Sequence, residues 1–552
     1  MFRPLTAVDR EVLSIWCDAT PADAFIAGRT ETAGKLFIPS NENIELLRAR
    51  IANAQKHCKT ESQLKILGAM DTFLGIFEPC HVPDFALNAF SGYMIKEGIR
   101  PGHLMGLADH TKASFIAYMR SRKNIEVPIG QRLLAEINCD GLLEVLNVVV
   151  SNTKSKSLKA KVNELRGTVN EFEKQVHVDG YSNGTFDEVW HIIRGRGCAL
   201  DREILYAQAL RGLFDYSESP FEVEQKGLRF LYDEIGDFNK LVQELANKLG
   251  CEARSEIVTK TIRAKKSLKP SRIIPYINQI RRLVIKIVNT RVVGVNPKYL
   301  THVLETPSYL TGILPSGAAW FINYLTPNPK QIFMATVDPK RDPSSVPSEL
   351  VNLLIHEEYG HCLHGSNSAR GYAAKPAFVE MLTSSLGNAV SEGISFQREL
   401  EFLEYLNEAQ SGRKLDLAER KFEKSFARLG GFEEFCQEYE FFTKAWRMTR
   451  FLRVIGDARI NSGKQDLADF IEWAHKETGL SRSMIYFQVF PAHQGIAPGY
   501  ASTYAIIGES IREIQTAARN RNVSLLELNT YASSLGFPSR TVFENRLREF
   551  EG

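Results

Sequence analysis

The sequence predicts a mainly α protein of more than one lobe, with a single short β element. Three observations carry this. Most segments repeat their apolar residues at helical rather than strand spacing, and Leu, Ala, Glu, Lys and Arg dominate them. At 552 residues the chain exceeds what one core normally serves, so two or three lobes are expected. One stretch has strand texture, Ile332–Val337 (IFMATV), and its proline-rich flanks make it read as an edge strand.

Residues 1–150 form the predicted N-terminal helical lobe. Its opening, MFRPLTAVDREVLSIW, lacks the basic start, apolar centre and small-residue cleavage site of a signal peptide. The longest apolar run, Leu142–Val150, falls far short of the roughly 20 residues a membrane helix requires, so no membrane partner is expected. The polar, lysine-rich Ser151–Lys161 marks a boundary. No fixed-period repeat is present, which disfavours a solenoid. The eight cysteines are scattered without a Cys-x-x-Cys pair, which fits a reducing compartment and a cytoplasmic protein.

Residues 151–304 read as a helical segment with a basic stretch: Val258–Leu304 holds eleven Lys or Arg and no acidic residue. A solvated helix face is the expectation, with an electropositive wall for an anionic substrate end as the functional alternative. The basic cluster lacks interleaved aromatics, and 68 basic residues stand against 65 acidic, so no nucleic acid partner is expected.

Residues 305–552 form the predicted metal-binding catalytic region. SSVPSE supplies serine caps and a first-turn proline for a helix whose Leu350, Leu353 and Leu354 form an apolar stripe running into Glu357 and His361. In the common zinc-peptidase motif two histidines stand four apart on one helix face, beside a glutamate that acts as general base. Here His356 and His361 stand five apart, a rotation of about 140° on an ideal helix. A π-bulge at Gly360 would bring both rings back to one face. A further helix, Pro376–Asn407, offers Glu392 as third ligand, leaving a fourth position open for water. One Zn2+ per chain, held by His356, His361 and Glu392, with Glu357 as base, is the expected arrangement.

Taken in order, ETPSYL (Glu305–Leu310), IFMATVDP, HEEYGH, SEGISFQRE (Ser391–Glu399), RVIGDARI (Arg453–Ile460) and PGYASTY (Pro498–Tyr504) resemble a bacterial family of zinc-peptidase-like proteins, domain of unknown function 885. The resemblance covers roughly Glu305–Phe550. It implies a mainly helical, two-lobed, zincin-like fold around a deep cleft, and a hydrolase of short peptides or peptide-like small molecules. By position, His356 and His361 match the metal histidines, Glu357 the catalytic glutamate, Glu392 the glutamate ligand and Glu399 a second acidic position. Tyr504 matches a tyrosine after the family's Pro-Gly pair, where a phenol would stabilise an oxyanion. The chain lacks the family's proline before Gly-His, and HEEYGH is similar to the His-Glu-x-x-Gly-His form of dipeptidyl peptidase III.

Other residues compete. Glu358 is an alternative base, Glu380 an alternative ligand, and His364 and Cys362 stand beside the motif. His493, Tyr500, Arg450 and Arg453 are left without an assigned role. Glu-x-x-His also occurs at Glu188/His191 and Glu472/His475, the pattern by which helical bundles hold two irons, so a di-iron oxidase or oxygenase is the second reading. A metal- or peptide-binding protein without catalysis is the third.

Overall fold

The computed structural model describes residues 5–121, 126–182, 184–311, 314, 316–339 and 344–551. It is mainly helical from end to end, with one three-stranded sheet between residues 301 and 335. Helix starts follow local chemistry. Thr6 with Asp9, Thr60 with Gln63, and Ser219 with Glu222 form capping boxes that open Ala7–Ala19, Glu61–Gly75 and Pro220–Leu249, each satisfying backbone N–H groups that would otherwise be orphaned.

Strands β1 (Thr301–Glu305), β2 (Gly317–Ile322) and β3 (Lys330–Ala335) lie in the order β1-β3-β2, with β3 parallel to β1 and antiparallel to β2. IFMATV, expected at an edge, is therefore mostly the central strand. Its continuous burial from Gln331 to Val337 fits a strand covered on both faces. Pro327, Pro329 and Pro339 lie outside the ladder and cost it no hydrogen bond. Residues 340–343, in the downstream flank, lie outside the described residues.

Two apolar cores hold the molecule. The larger collects side chains from Val12 to Leu547, and Trp16 Nε1 donates to the Thr383 carbonyl at 2.8 Å, which ties the first helix to the segment before helix Ser385–Gln410. The second packs Ile277, Val284 and Val288 of helix Pro270–Arg291 against Phe333, Leu350, Leu354 and Tyr359.

Most of the basic stretch is a solvated face, as expected: Lys260, Lys265, Lys269, Arg272, Arg282, Lys286 and Lys298 are exposed, while four of its members reach buried carboxylates. Arg263 pairs with Glu349 at 2.6 Å, Lys266 with Glu438 at 2.6 Å, Arg281 with Glu358 at 2.5 Å and Arg291 with Glu419 at 3.0 Å. All four acids are buried. A run without acids of its own thus neutralises carboxylates on the helices it packs against, and pairing is what makes their burial tolerable.

Candidate metal centre

The helix Pro347–Leu354 begins with its proline in the first turn and Val346, not a serine side chain, at the cap. It runs without a break into a π-helical stretch, Ile355–Cys362, and returns to α geometry over Leu363–Arg370. In i→i+5 bonding, residues five apart come onto one face. The rings of His356 and His361 accordingly stand 5.0 Å apart, centre to centre. The deviation expected from the spacing is present and longer than a single bulge.

Every residue from Val346 to Ser368 is buried. Leu350, Leu354 and Tyr359 face the second core, whereas His356, Glu357 and His361 line a cavity of about 290 Å³. Helix Ser385–Gln410 closes the other side of that cavity and brings Glu392 to the histidines. Glu392 Oε2 lies 3.2 Å from His361 Nε2 and 3.8 Å from His356 Nε2.

The remaining polar atoms of these residues are held from behind. His356 Nδ1 lies 2.7 Å from Glu399 Oε1, and Arg450 grips the same carboxylate at 2.6 and 3.1 Å. His361 Nδ1 lies 2.9 Å from Ser391 Oγ. Tyr500 donates to Glu392 Oε1 at 2.6 Å. Such outer contacts fix ring orientation and leave each Nε2 directed inward. Glu392 Oε2 is buried without a hydrogen-bond partner, since His361 Nε2 is near enough but not aligned for a bond. Two imidazole nitrogens facing an orphaned carboxylate oxygen make a donor set suited to Zn2+. The residues fit the ion.

Burial drives His356 well below its ordinary pKa, with Arg450 adding to it. Burial opposes charge on His361 as well, yet Glu392 raises it. Glu392 is held at about 2 despite burial, by His361, His356 and the Tyr500 bond. Burial pushes Glu357 up to about 7, with His361 pulling the other way. Tyr504 lines the same cavity, its hydroxyl 3.2 Å from His493 Nε2 and its ring nearly parallel to that of His356 at 6.3 Å.

The structure separates the competitors. Glu358 is engaged by Arg281 away from the cavity. Glu380 bonds Arg546 and Ser62 at 2.6 Å each and does not line the histidine cavity. His364 spans Gly536 O at 2.7 Å and Ser391 Oγ at 3.4 Å, sharing with His361 the serine that steadies its ring. Cys362 is buried with Sγ 3.6 Å from Ile332 O, and burial pushes its thiol well up. Ser391, Arg450, His493 and Tyr500 are residues at the site to which sequence reasoning assigned no role. The signal for the first was its place beside Glu392 in SEGIS.

The three Glu-x-x-His pairs do not converge. Glu472 pairs with Arg482 at 2.7 Å, His475 Nδ1 lies 2.6 Å from Leu480 O, and Glu188 Oε2 accepts from Ser182 Oγ at 3.1 Å. Among the described residues one other group, Glu78, Cys80 and His81, has metal-ligand spacing. It is already satisfied: Arg202 Nε donates to Glu78 at 2.7 Å, and both His81 nitrogens have backbone partners at 2.9 and 3.2 Å.

No helix among the described residues is long and apolar enough to cross a membrane. No family model and no curated protein matches the chain. Among solved structures, the fold is similar to a "putative lipoprotein" from Colwellia psychrerythraea, at 15% identity and a TM-score of 0.64, over 98% of this chain and 99% of that one. It is also similar to a "putative lipoprotein of unknown function" from Shewanella oneidensis, at 15% identity and a TM-score of 0.65, over 99% and 100% of the two chains. At such identity the likeness is one of fold, and it runs the whole length of the chain.

Proposed function

We propose that this chain is a zinc-dependent hydrolase of amide bonds in short peptides or peptide-like metabolites, akin to the zinc-peptidase-like family its C-terminal half resembles. The observation that supports this is the convergence of His356 Nε2, His361 Nε2 and an orphaned Glu392 oxygen on one side of a cavity that also contains Glu357. These three residues would hold Zn2+, which when bound would supply Lewis acidity and lower the pKa of water in the cavity.

Glu357 then takes a proton from the attacking water as the new C–O bond forms, and returns it to the amine as the C–N bond breaks. Tyr504 donates a hydrogen bond through its hydroxyl to the carbonyl oxygen as negative charge develops there and keeps its proton, while His493 steadies the phenol. Arg450 and Glu399 act through His356 by holding its ring. A cavity of about 290 Å³ admits a short chain and excludes a folded protein.

Titrating the metal-stripped chain with Zn2+, and following hydrolysis of a panel of free and blocked dipeptides, tests the reading. Activity that rises to a plateau at one equivalent supports it. Stoichiometric zinc without turnover of any amide leaves a binding protein instead.

A further inference from the structure

Two sets of charges along the cleft have no counter-charge. Arg453 is 4% exposed and lines the cavity that holds the histidines. Its guanidinium bonds neutral Gln488, through Nε to the backbone carbonyl at 3.2 Å and through Nη2 to the side chain, and lies 4.4 Å over the Tyr504 ring. Its neighbour Arg450 is neutralised by Glu399, whereas Arg453 has no carboxylate within ion-pair distance among the described residues. Burial, with Arg450 adding, lowers the Arg453 pKa to about 10.

A second cavity of about 320 Å³ adjoins the first and shares the walls formed by Ala319, Phe321, Asn388, Ile496 and Tyr500. Trp16, Phe73, Phe85 and Trp320 make its lining apolar, and Asp23 and Asp84 interrupt it. Asp23 is exposed where it faces this space, and the surrounding walls, by desolvation, raise it to about 6. Asp84 is 8% exposed and accepts one bond, from Asn88 at 3.0 Å; burial, with the charge of Asp23 adding, raises it to about 7. No cation among the described residues pairs with either. Arg453 and Asp84, charges buried this way, are a cost unless something completes them.

We propose that the joined cavities bind short peptides with both ends free, Arg453 taking the carboxylate of the leaving residue and Asp23 with Asp84 taking the ammonium group across the apolar chamber. This deepens the hydrolase reading and rests on it. Arg453 shares a small cavity with the histidines, so the carboxylate it binds belongs to the residue next to the cleaved amide. The apolar chamber receives the side chain of the residue that carries the ammonium. Di- and tripeptides with an apolar first residue are the substrate class.

The test uses phenylalanyl-alanine, its carboxyl-terminal amide and its N-acetyl form, with binding to the full-length Glu357→Gln chain measured by calorimetry with and without added Zn2+. Each blocked form is expected to bind about 10- to 100-fold more weakly than the free dipeptide, the effect of losing a charged hydrogen bond. Arg453→Gln removes the discrimination against the amide, and Asp84→Asn the discrimination against the acetyl form. The peptide comparison decides the matter even where a buried variant fails to fold. Equal affinity for the three forms, or binding of none, overturns the inference. Wild type that cleaves blocked peptides as fast as free ones leaves the hydrolase standing and removes the inference. Ordered binding with no cleavage of any amide does the reverse.

Discussion

Gly360 packs directly onto Ser395: a Cβ at Gly360 would stand 2.6 Å from the Ser395 Cβ and 2.7 Å from its Cα. The contact joins the π-helical stretch to the helix that carries Glu392, three residues before Ser395. Glycine here serves close approach between two helices, and that approach brings Glu392 within reach of both histidines.

Gly360→Ala therefore pushes the two helices apart. The expected cost is about 1–3 kcal/mol or more, as for other overpacked cores. Zinc affinity is expected to fall with it, because His361 and Glu392 lie on opposite sides of the contact. Chemical denaturation and zinc titration of the variant check both, and an unchanged affinity would show that the contact does not set the donor geometry.

Arg450 and Glu399 are a fully buried pair behind His356. Arg450→Met leaves a buried carboxylate without its cation, expected to cost about 3–5 kcal/mol and to weaken zinc by about 10- to 100-fold. Adding Glu399→Gln removes the stranded charge and restores part of the stability, while the zinc affinity stays low. A double variant no more stable than Arg450→Met would argue against the pair being the cause.

Much of this was legible in the sequence, for physical reasons that differ by residue. His356, Glu357, His361 and Glu392 were found because metal chemistry requires those residue types, and their spacing was specific enough to predict a departure from α geometry. Glu399 was visible only through the order of motifs. The partners of Arg450 and Arg453 were not legible, because both stand on one helix and only tertiary packing gives one a carboxylate and leaves the other without. IFMATV was misplaced at an edge because flanking prolines look the same whether or not they lie in the ladder. The solvated character of the basic stretch was legible, but its four pairings were not, because the acids lie elsewhere in the chain, on Glu349, Glu358, Glu419 and Glu438.

Asp84 makes a prediction about stability and pH. Its folded pKa, about 7, lies above the ordinary carboxyl value, so the native state holds more protons than the unfolded one between about pH 4 and 7. Its burden on the fold is absent below that window, grows as pH rises through it and is complete above it. Asp84→Asn should therefore be more stable than wild type at pH 8, by about 1–3 kcal/mol, with the advantage shrinking towards pH 4.5. Denaturation midpoints at the two pH values check this, and an advantage independent of pH would contradict it.

Tyr504 donates to the developing oxyanion in this account and is not a ligand. Tyr504→Phe is expected to keep its zinc and lower kcat by about 10²–10³-fold, with a smaller effect on KM. A variant that loses zinc, or turns over at the wild-type rate, would assign the residue elsewhere.

The most direct test of the metal site is elemental analysis of the purified chain beside His356→Ala, Glu392→Ala and Glu357→Gln, with dipeptide hydrolysis measured on each. The account predicts about one zinc in wild type, loss of zinc from the two ligand variants, and a Glu357→Gln chain that keeps zinc without turnover. Zinc that survives loss of both His356 and Glu392, or two irons in its place, would contradict it.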